Sequence, residues 1–285
     1  MNAPLYPSAM QTAGWHAHLE LEFELRAART TLARRRHHGP LGVQRPFHPE
    51  PDGTCHVYVL HPPGGLVSGD TLELDVTVRT GARALLTTPA ATKLYRQRDN
   101  EARQLQRFVV HTGARLEWLP QETIAYAGAA ARLQTRVELA EGAEFLGWEL
   151  LCLGRPANQE RFTRGSVKQR IELWRGSQPL LIERAHHAGG SPALSAAWGL
   201  GDAPVIGTLV YVGQPRTPEL LEQLRAALES SAPGETSASE LASVLVCRYR
   251  GARVEHGLLA FRSAWELLRS HGGGSQAVAP RIWAT

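Results

Sequence analysis

Four segments of the chain alternate apolar and polar residues with the period of two that half-buried β-strands show. They are residues 18–25, 55–60, 71–78 and 136–139. Two later segments, residues 217–230 and 257–270, instead repeat apolar residues at helical spacing, and Thr217 followed by Pro218 is a candidate N-cap. The pattern predicts a mainly β protein with two α-helices near the C-terminus.

A glycine turn recurs along the β part of the chain. Its members are Gly81, Gly113, Gly142 and Gly176, spaced 32, 29 and 34 residues apart. Each follows an alternating strand and precedes an apolar one, which is typical of short strands stacked as the coils of a β-helix, because each coil hides its apolar face against the next. Hairpins in a β-sandwich would give a similar pattern, so both architectures remain open.

The loop between two of the strands, HPPGGLVSGDTLEL at residues 61–74, nearly matches a phosphate-binding pattern. It fits G-x-x-x-x-G-K-[ST] except that Asp70 occupies the lysine position. An aspartate there would repel phosphate oxygens by on the order of 1 kcal/mol or more at close range, which argues against nucleotide binding. Two interpretations remain: Asp70 and Thr71 offer oxygen ligands to a cation, or the glycines form a turn that Asp70 caps.

Composition and charge exclude several classes of protein. A chain of 285 residues that is 43% hydrophobic is long enough to bury a substantial core. It has 31 basic and 27 acidic residues, a net charge of +4 and no basic run interleaved with aromatics, so we expect no nucleic-acid partner.

The cysteines and the N-terminal residues bear on the location of the protein. Three widely spaced cysteines do not suit a secreted disulfide framework. No apolar stretch approaches the roughly 20 residues of a membrane span. We therefore expect a cytoplasmic protein without a membrane partner, in which residues 1–14 form a disordered extension and residues 15–285 a single domain.

Six segments resemble, in order and with similar gaps, the family of the urease accessory protein UreD, also called UreH. They are HHGPLGVQRPFHPE, CHVYVLHPPGGLVSGD, LLTTPAATKLYR, LEWLPQETIAY, LLCLGRP and PRIWAT, and the resemblance covers residues 15–285. It implies a β-helix-like fold and a maturation factor that is not an enzyme. Such a factor binds apo-urease, recruits UreF and through it the GTPase UreG, and conveys Ni²⁺ in transit to the urease active site, with no tightly bound cofactor.

The resemblance also implies polar residues along an internal, water-filled nickel passage. Carried onto this sequence they are Asp70, Thr92, Glu149 and Glu183, with Glu122 as a further candidate. Nickel accepts carboxylate, imidazole and water ligands, and an incomplete set of ligands suits transit because a closed shell would trap the ion.

Glu149 and Glu183 each lie seven residues after a repeat glycine. This spacing predicts that they occupy equivalent places in neighbouring coils, roughly 5 Å apart. Their carboxylates would then repel unless a cation, a proton or an arginine intervened. Plain ion pairs with the flanking Arg155 and Arg184 are the alternative.

One position departs from the family pattern. After LGRP, Gln159 takes the place of a glycine ahead of Glu160, so the tight turn expected there, and the role of Glu160, are in doubt. Among the histidines, His56 is expected to be exposed beside a buried Cys55, and His186 and His187 to form a solvated pair.

Three functions remain to be separated. The first is the scaffold and nickel conduit, for which part of the apolar surface of the late helices is predicted to dock UreF; that surface comprises Leu220, Leu221, Leu224, Leu228, Leu258, Leu259, Phe261, Trp265 and Leu268. The second is a metal-dependent hydrolase that uses Asp70 and Glu122. The third is a structural adaptor that transfers no metal.

Overall fold

The computed structural model describes residues 14–97, 100–213, 217–271 and 276–284. The first ten strands are β1 (His16–Arg26), β2 (Arg29–His38), β3 (Gly42–Val43), β4 (Cys55–Leu60), β5 (Gly65–Leu66), β6 (Thr71–Val78), β7 (Arg83–Thr87), β8 (Thr92–Leu94), β9 (Ala102–Val110) and β10 (Arg115–Leu119). The others are β11 (Thr123–Ala125), β12 (Ala130–Leu139), β13 (Glu144–Arg155), β14 (Glu160–Arg161), β15 (Ser166–Arg175), β16 (Gln178–Ala188), β17 (Val205–Val212), β18 (Glu235–Leu241) and β19 (Val244–Gly251). The α-helices are α1 (Pro192–Ser195), α2 (Pro218–Ser231) and α3 (Val254–His271), and 3₁₀ turns span Pro156–Asn158 and Arg281–Ala284.

The strands form two large sheets. The first has the order β16-β15-β12-β9-β6-β1-β2, and the second follows the path β18-β19-β17-β13-β10-β7-β4-β3. In the first sheet the five inner strands run parallel, whereas β2 and β16 are antiparallel at its two edges. In the second sheet β4, β7, β10 and β13 are parallel and the later strands are antiparallel.

The chain winds between the sheets as a β-solenoid of about four turns, which confirms the mainly β, β-helix-like prediction. Each coil contributes a long strand to the first sheet, a strand to the second, and a short strand on the way back. The short strands β5, β8 and β11 pair in parallel with one another, and β11 pairs with the end of β13. Parallel pairing with crossovers of this kind distinguishes the solenoid from a hairpin sandwich.

The repeat glycines make the corners of the coils, with one exception. Gly81, Gly113 and Gly142 have φ angles of 69°, 64° and 70° and lie where the chain passes from the first sheet to the second. Gly176, with φ 56°, instead turns β15 back into β16 within the same sheet, because Arg175 pairs with Gln178 across a two-residue loop. The fourth unit is therefore a hairpin, the element typical of the alternative architecture.

Two hydrophobic cores hold the layers together. The first lies between the two sheets, and the second lies between the second sheet and helices α2 and α3. The helical residues Leu220, Leu224, Leu228, Leu258, Phe261, Trp265 and Leu268 are all buried in the second core. Those seven residues are therefore not available to a partner, whereas Leu221 is only partly buried and Leu259 is exposed. That part of the surface docks UreF stays a prediction, and it can apply only to these two.

The helices begin close to the predicted positions. The Thr217 side chain caps α2 by accepting a hydrogen bond from the Leu220 amide at 3.2 Å, as predicted. Helix α3 begins at Val254, three residues before the predicted start at Gly257. Gly257 lies inside the helix and does not mark its start. A Cβ at this position would approach Leu150 Cδ2 to 2.5 Å, so the glycine is there to permit close packing.

Strand prediction succeeded where the alternation is regular. Strands β4 and β6 have the predicted bounds, 55–60 and 71–78, and the predicted segment 18–25 lies within β1. The segment 136–139 is only the end of β12. The predicted N-terminal extension, residues 1–14, lies outside the described residues except for Gly14. No helix within the described ranges is long and apolar enough to span a bilayer.

Candidate functional site

Two adjoining cavities lie between the sheets. The narrow chamber has a volume of about 110 Å³, and its polar lining includes His61, Thr92, Gln104, Gln106, Thr135, Glu149 and Gln169. The wide chamber has a volume of about 410 Å³, and its polar lining includes Glu149, Gln169, Glu183, His187, Thr208 and Arg248. Because Glu149 and Gln169 line both chambers, they stand at the junction between the two.

The inner face of the first sheet changes from apolar to polar where the chambers lie. On β12, Thr135 stands between the buried Leu133 and Val137. In the parallel register it lies opposite Gln106 of β9, and its hydroxyl is 2.9 Å from the side-chain oxygen Oε1 of Gln106. Side chains two residues apart on a strand share a face, so these polar groups replace part of the apolar core and provide partners for water.

Glu149 projects from β13 of the second sheet into the junction of the chambers. Its carboxylate accepts hydrogen bonds from Thr135 Oγ1 at 2.6 Å and from Gln169 Nε2 at 3.1 Å. Burial raises the pKa of Glu149 and the charge of Glu183 raises it further, while the two hydrogen bonds oppose that shift. A cation at the junction would therefore be stabilised by a carboxylate that has no ion-pair partner among the described residues.

Glu183 lies in the wide chamber but not where the repeat predicted it. The two glutamates do not stack in adjacent coils: Glu149 is on β13 of the second sheet, and Glu183 is on β16 of the first. The prediction failed because the Gly176 turn is a hairpin, so that the seven-residue spacing places Glu183 opposite Ile171 of β15. The residues face the same wide chamber from opposite sheets, and each carboxylate is within electrostatic reach of the other.

The ion pair of Glu183 also differs from the predicted one. Arg248 on β19 reaches across from the second sheet, and its Nη2 and Nη1 donate to the two Glu183 carboxylate oxygens at 2.6 and 2.9 Å. Arg184, the flanking arginine that we considered, is exposed on the other face of β16. No local pattern predicts the Arg248 pair, because its partners are 65 residues apart.

Thr92 and Asp70 have different positions. Thr92 begins β8 and lines the narrow chamber. Asp70 does not line either chamber: its two carboxylate oxygens accept hydrogen bonds from the amides of Trp15 and Val67, both at 2.8 Å. Asp70 thus closes the glycine turn and fixes the start of β1, as the structural interpretation of the loop predicted.

Glu122 also lies outside the chambers, although its neighbours Gln121 and Thr123 line the narrow one. Burial raises its pKa, and Glu255 of α3 raises it further while Lys93 and Arg262 lower it. Two of these three charged residues belong to α3, which packs against the second sheet. Asp70 and Glu122 therefore do not form a shared site of the kind that the hydrolase interpretation requires.

The family departure at Gln159 is accommodated without loss of the turn. Gln159 adopts a left-handed conformation, φ 58° and ψ 19°, and its amide donates to the Pro156 carbonyl oxygen at 3.0 Å. Glu160 then accepts hydrogen bonds from Arg155 Nε and from the Ala127 amide, both at 2.9 Å. Glu160 is a structural partner of the turn.

Two histidine predictions were wrong. His56 is fully buried, and its Nε2 lies 2.6 Å from a Glu50 carboxylate oxygen. His187 lines the wide chamber, its Nε2 is buried without a hydrogen-bond partner, and burial lowers its pKa to about 4. Of the predicted solvated pair, only His186 is exposed, with its ring 2.9 Å from Ser166 Oγ. His56 was expected on an exposed face of its strand, but β4 is buried on both faces. His187 was expected in solvent, but it faces the wide chamber from β16.

A buried charge cluster joins α3 to the solenoid. Arg269 pairs with Glu50 and, at 3.1 Å, with Glu117, while Trp265 Nε1 donates to Glu117 at 2.9 Å. Burial lowers the pKa of Arg269 to about 10. Because these residues form a hydrogen-bonded set closed over by α3 and the second sheet, we interpret the cluster as structural.

The described residues contain no group of three or more His, Cys, Asp or Glu side chains placed to hold a metal ion. The carboxylates of Glu149 and Glu183 face the wide chamber singly, from opposite sheets. This arrangement can offer one ligand at a time to a hydrated cation, which would keep water in its remaining coordination positions.

Comparisons with known proteins give consistent results over almost the whole chain. The sequence model of the family described as UreD urease accessory protein matches residues 16–284. A protein from Brucella anthropi named urease accessory protein UreD 2 is 48% identical over 274 residues, which cover 96% of this chain and 100% of the relative. Urease accessory protein UreD from Azoarcus sp. is 45% identical over 287 residues and all of both chains. Urease accessory protein UreD from a Nostoc species is 40% identical, with 95% of this chain and 97% of the relative covered.

Proposed function

This chain belongs to the UreD family of urease accessory proteins, and on that premise we propose that it is a scaffold for urease maturation that conveys nickel through its interior. Membership implies a role in urease maturation, and its relatives are named as accessory proteins, which fits a protein that is not itself an enzyme. The proposed partners are apo-urease, UreF, and UreG through UreF. The ion is the cargo of this process and has no resident site.

The observation that carries the proposal is the junction of the two chambers at Glu149. A polar region runs from Thr92 in the narrow chamber, past Glu149, to Glu183 in the wide one. A solenoid core of this size is ordinarily filled by apolar side chains. Room for water beside lining atoms that have no hydrogen-bond partner in the described part of the chain, Gln104 Oε1 and His187 Nε2, therefore calls for a function.

The lining suits a mobile divalent cation. Threonine, glutamine and glutamate offer oxygen ligands that nickel accepts without the strong hold of a thiolate. The Glu149 carboxylate, whose pKa burial raises, would release any bound proton as the cation arrives. Of the five proposed passage residues, Thr92, Glu149 and Glu183 fit the passage, whereas Asp70 and Glu122 have structural surroundings outside it.

The proposed setting is the cytoplasm. Cys55, Cys152 and Cys247 are free, buried thiols, and reduced cysteines are what a reducing compartment maintains. Burial raises the pKa of each to about 12, so they are unreactive and do not offer thiolate ligands to a passing metal.

The proposal is tested by Glu149→Gln, which keeps the shape of the side chain and removes its charge. At limiting nickel we expect urease activation in a reconstituted maturation assay to fall by roughly tenfold, equivalent to about 1.4 kcal/mol of lost cation stabilisation. Glu141→Gln is the matched control, because Glu141 is a highly exposed residue in the turn before β13, and it should activate urease normally.

The same pair of variants separates conduit from adaptor. Capture of apo-urease and UreF from co-expression should be equal for the wild type and both variants if the passage carries nickel. Normal activation by Glu149→Gln at limiting nickel, with assembly intact, would favour an adaptor without metal transfer. The hydrolase alternative has no supporting observation, because Asp70 and Glu122 do not meet.

A further inference from the structure

A guanidinium group reaches across the wide chamber on its solvent-exposed side. Arg248 extends from β19 in the second sheet to Glu183 on β16 in the first, where it makes two hydrogen bonds of 2.6 and 2.9 Å. Its Nη1 also lies 3.3 Å from the hydroxyl of Thr208 on β17. The pair therefore links three strands of two different sheets and is not an incidental contact between neighbours.

This arginine neutralises one of the two carboxylates that face the wide chamber. Glu149 is held by an alcohol and an amide, whereas Glu183 is held by a full positive charge. The other arginine of the chamber, Arg250, is engaged elsewhere, with Glu235 and the Gly199 carbonyl oxygen. Arg248 is thus the cation that occupies the position at Glu183 that a metal ion would take.

The Arg248 side chain can leave that position at low cost. It is 47% exposed, and Glu183 is 23% exposed, so the guanidinium group can be hydrated on leaving the carboxylate. Water weakens a partly exposed ion pair even when it has two hydrogen bonds, and a divalent ion attracts a carboxylate twice as strongly as a monovalent group at the same distance. After a divalent ion has replaced Arg248, Glu183 is paired with the ion and the guanidinium group is hydrated, so neither charge is left buried without a partner.

We propose that Arg248 is a built-in competitor of the transported cation: it occupies Glu183 until a divalent ion displaces it, and so keeps the wide chamber from retaining the ion. The inference rests on the proposed nickel passage. In this proposal Arg248 keeps the binding of nickel at Glu183 weak, as delivery of the ion to a partner requires. It also excludes monovalent ions, because a single charge gains little by displacing an arginine from the same carboxylate.

The test is nickel binding by the full chain, alone or co-expressed with UreF, measured by isothermal titration calorimetry with NiCl₂. Arg248→Gln should bind nickel at least about tenfold more tightly than the wild type, because a positive charge has left the chamber and Glu183 is free. Arg184→Gln is the matched control: it makes the same charge change one residue from Glu183, on the exposed face of β16, and should bind as the wild type does.

A double variant separates the specific effect from a general one. In Glu183→Gln/Arg248→Gln the gain in affinity should disappear, since the carboxylate for which the arginine competes is absent. Unchanged affinity in Arg248→Gln, or an equal gain in Arg184→Gln or in the double variant, would overturn the role of Arg248. After any of those results, the proposed nickel passage remains supported if Glu149→Gln still lowers urease activation. Normal activation by Glu149→Gln would instead contradict the passage, whatever the result for Arg248.

Discussion

At the scale of single residues, Gln159 occupies a backbone conformation that suits glycine better. A side chain in the left-handed region costs about 1–2 kcal/mol, whereas glycine costs about 0.5–1 kcal/mol in lost unfolded-state freedom. Gln159→Gly should therefore raise the free energy of unfolding by up to about 1 kcal/mol, measured by urea denaturation.

The control for this change is Gln178→Gly at the exposed start of β16. That position needs no positive φ, so the glycine should destabilise the protein by about 0.5–1 kcal/mol. A loss of stability in Gln159→Gly would mean that the Gln159 side chain makes contacts that outweigh the strain.

His187 gives the stability of the protein a dependence on pH. Burial is the main cause that lowers its pKa to about 4, and the neighbouring His186 contributes. In the unfolded chain the pKa is about 6.5, so between pH 6.5 and 4 the unfolded state binds more protons than the folded state. Stability should therefore decline as the pH falls through this window, by up to about 3 kcal/mol from this residue.

The measurement is urea denaturation of the wild type, His187→Gln and His186→Gln at pH 7, 6 and 5. His187→Gln should lose less stability on acidification than the wild type, whereas His186→Gln should follow the wild type because His186 is exposed. Parallel pH profiles for all three proteins would show that His187 takes up a proton as readily in the folded state as in the unfolded state.

At the scale of elements, α3 is held by charge as well as by apolar packing. Arg269, near its C-terminal end, is buried against Glu50 and Glu117. Removing one partner from a buried ionic cluster leaves the other charges uncompensated, which typically costs about 3–5 kcal/mol. Arg269→Met should destabilise the protein by that amount in urea denaturation followed by circular dichroism.

The matched control is Arg253→Met, whose arginine is exposed just before α3 and should change stability by less than about 0.5 kcal/mol. Adding Glu117→Gln to Arg269→Met should restore part of the loss, because it removes one stranded carboxylate. A loss below about 1 kcal/mol in Arg269→Met would indicate that apolar packing alone fixes α3.

The elements that the sequence predicted best are those whose pattern is local. Alternation gave the bounds of β4 and β6, and the cap at Thr217 gave the start of α2. The start of α3 was missed because Gly257 serves a tertiary contact with Leu150. The cluster around Arg269 could not be foreseen, because Glu50 lies 219 residues away in the chain and no spacing rule covers such a distance.

At the scale of the whole molecule, the candidate site depends on how the two sheets face each other. The resemblance supplied Glu149 and Glu183, but the strand repeat placed them in adjacent coils when they belong to opposite sheets. The difference arises at one turn, Gly176, where a hairpin replaces a corner. Arg248 was missed because its pairing with Glu183, 65 residues away in the chain, follows only from the facing of β16 and β19 across the chamber.

The antiparallel strands at the edges of the first sheet also determine how many coils the molecule can have. A solenoid with bare ends would offer its edge strand as a template for another chain, and would tend to grow into fibres. Here β2 and β16 run against the coil direction, and β2 carries the run from Arg34 to His38 along one edge. A reversed strand at each edge, charged in the case of β2, opposes addition of a further parallel coil. The length of the cavity is therefore set by the chain itself and not by assembly with other copies.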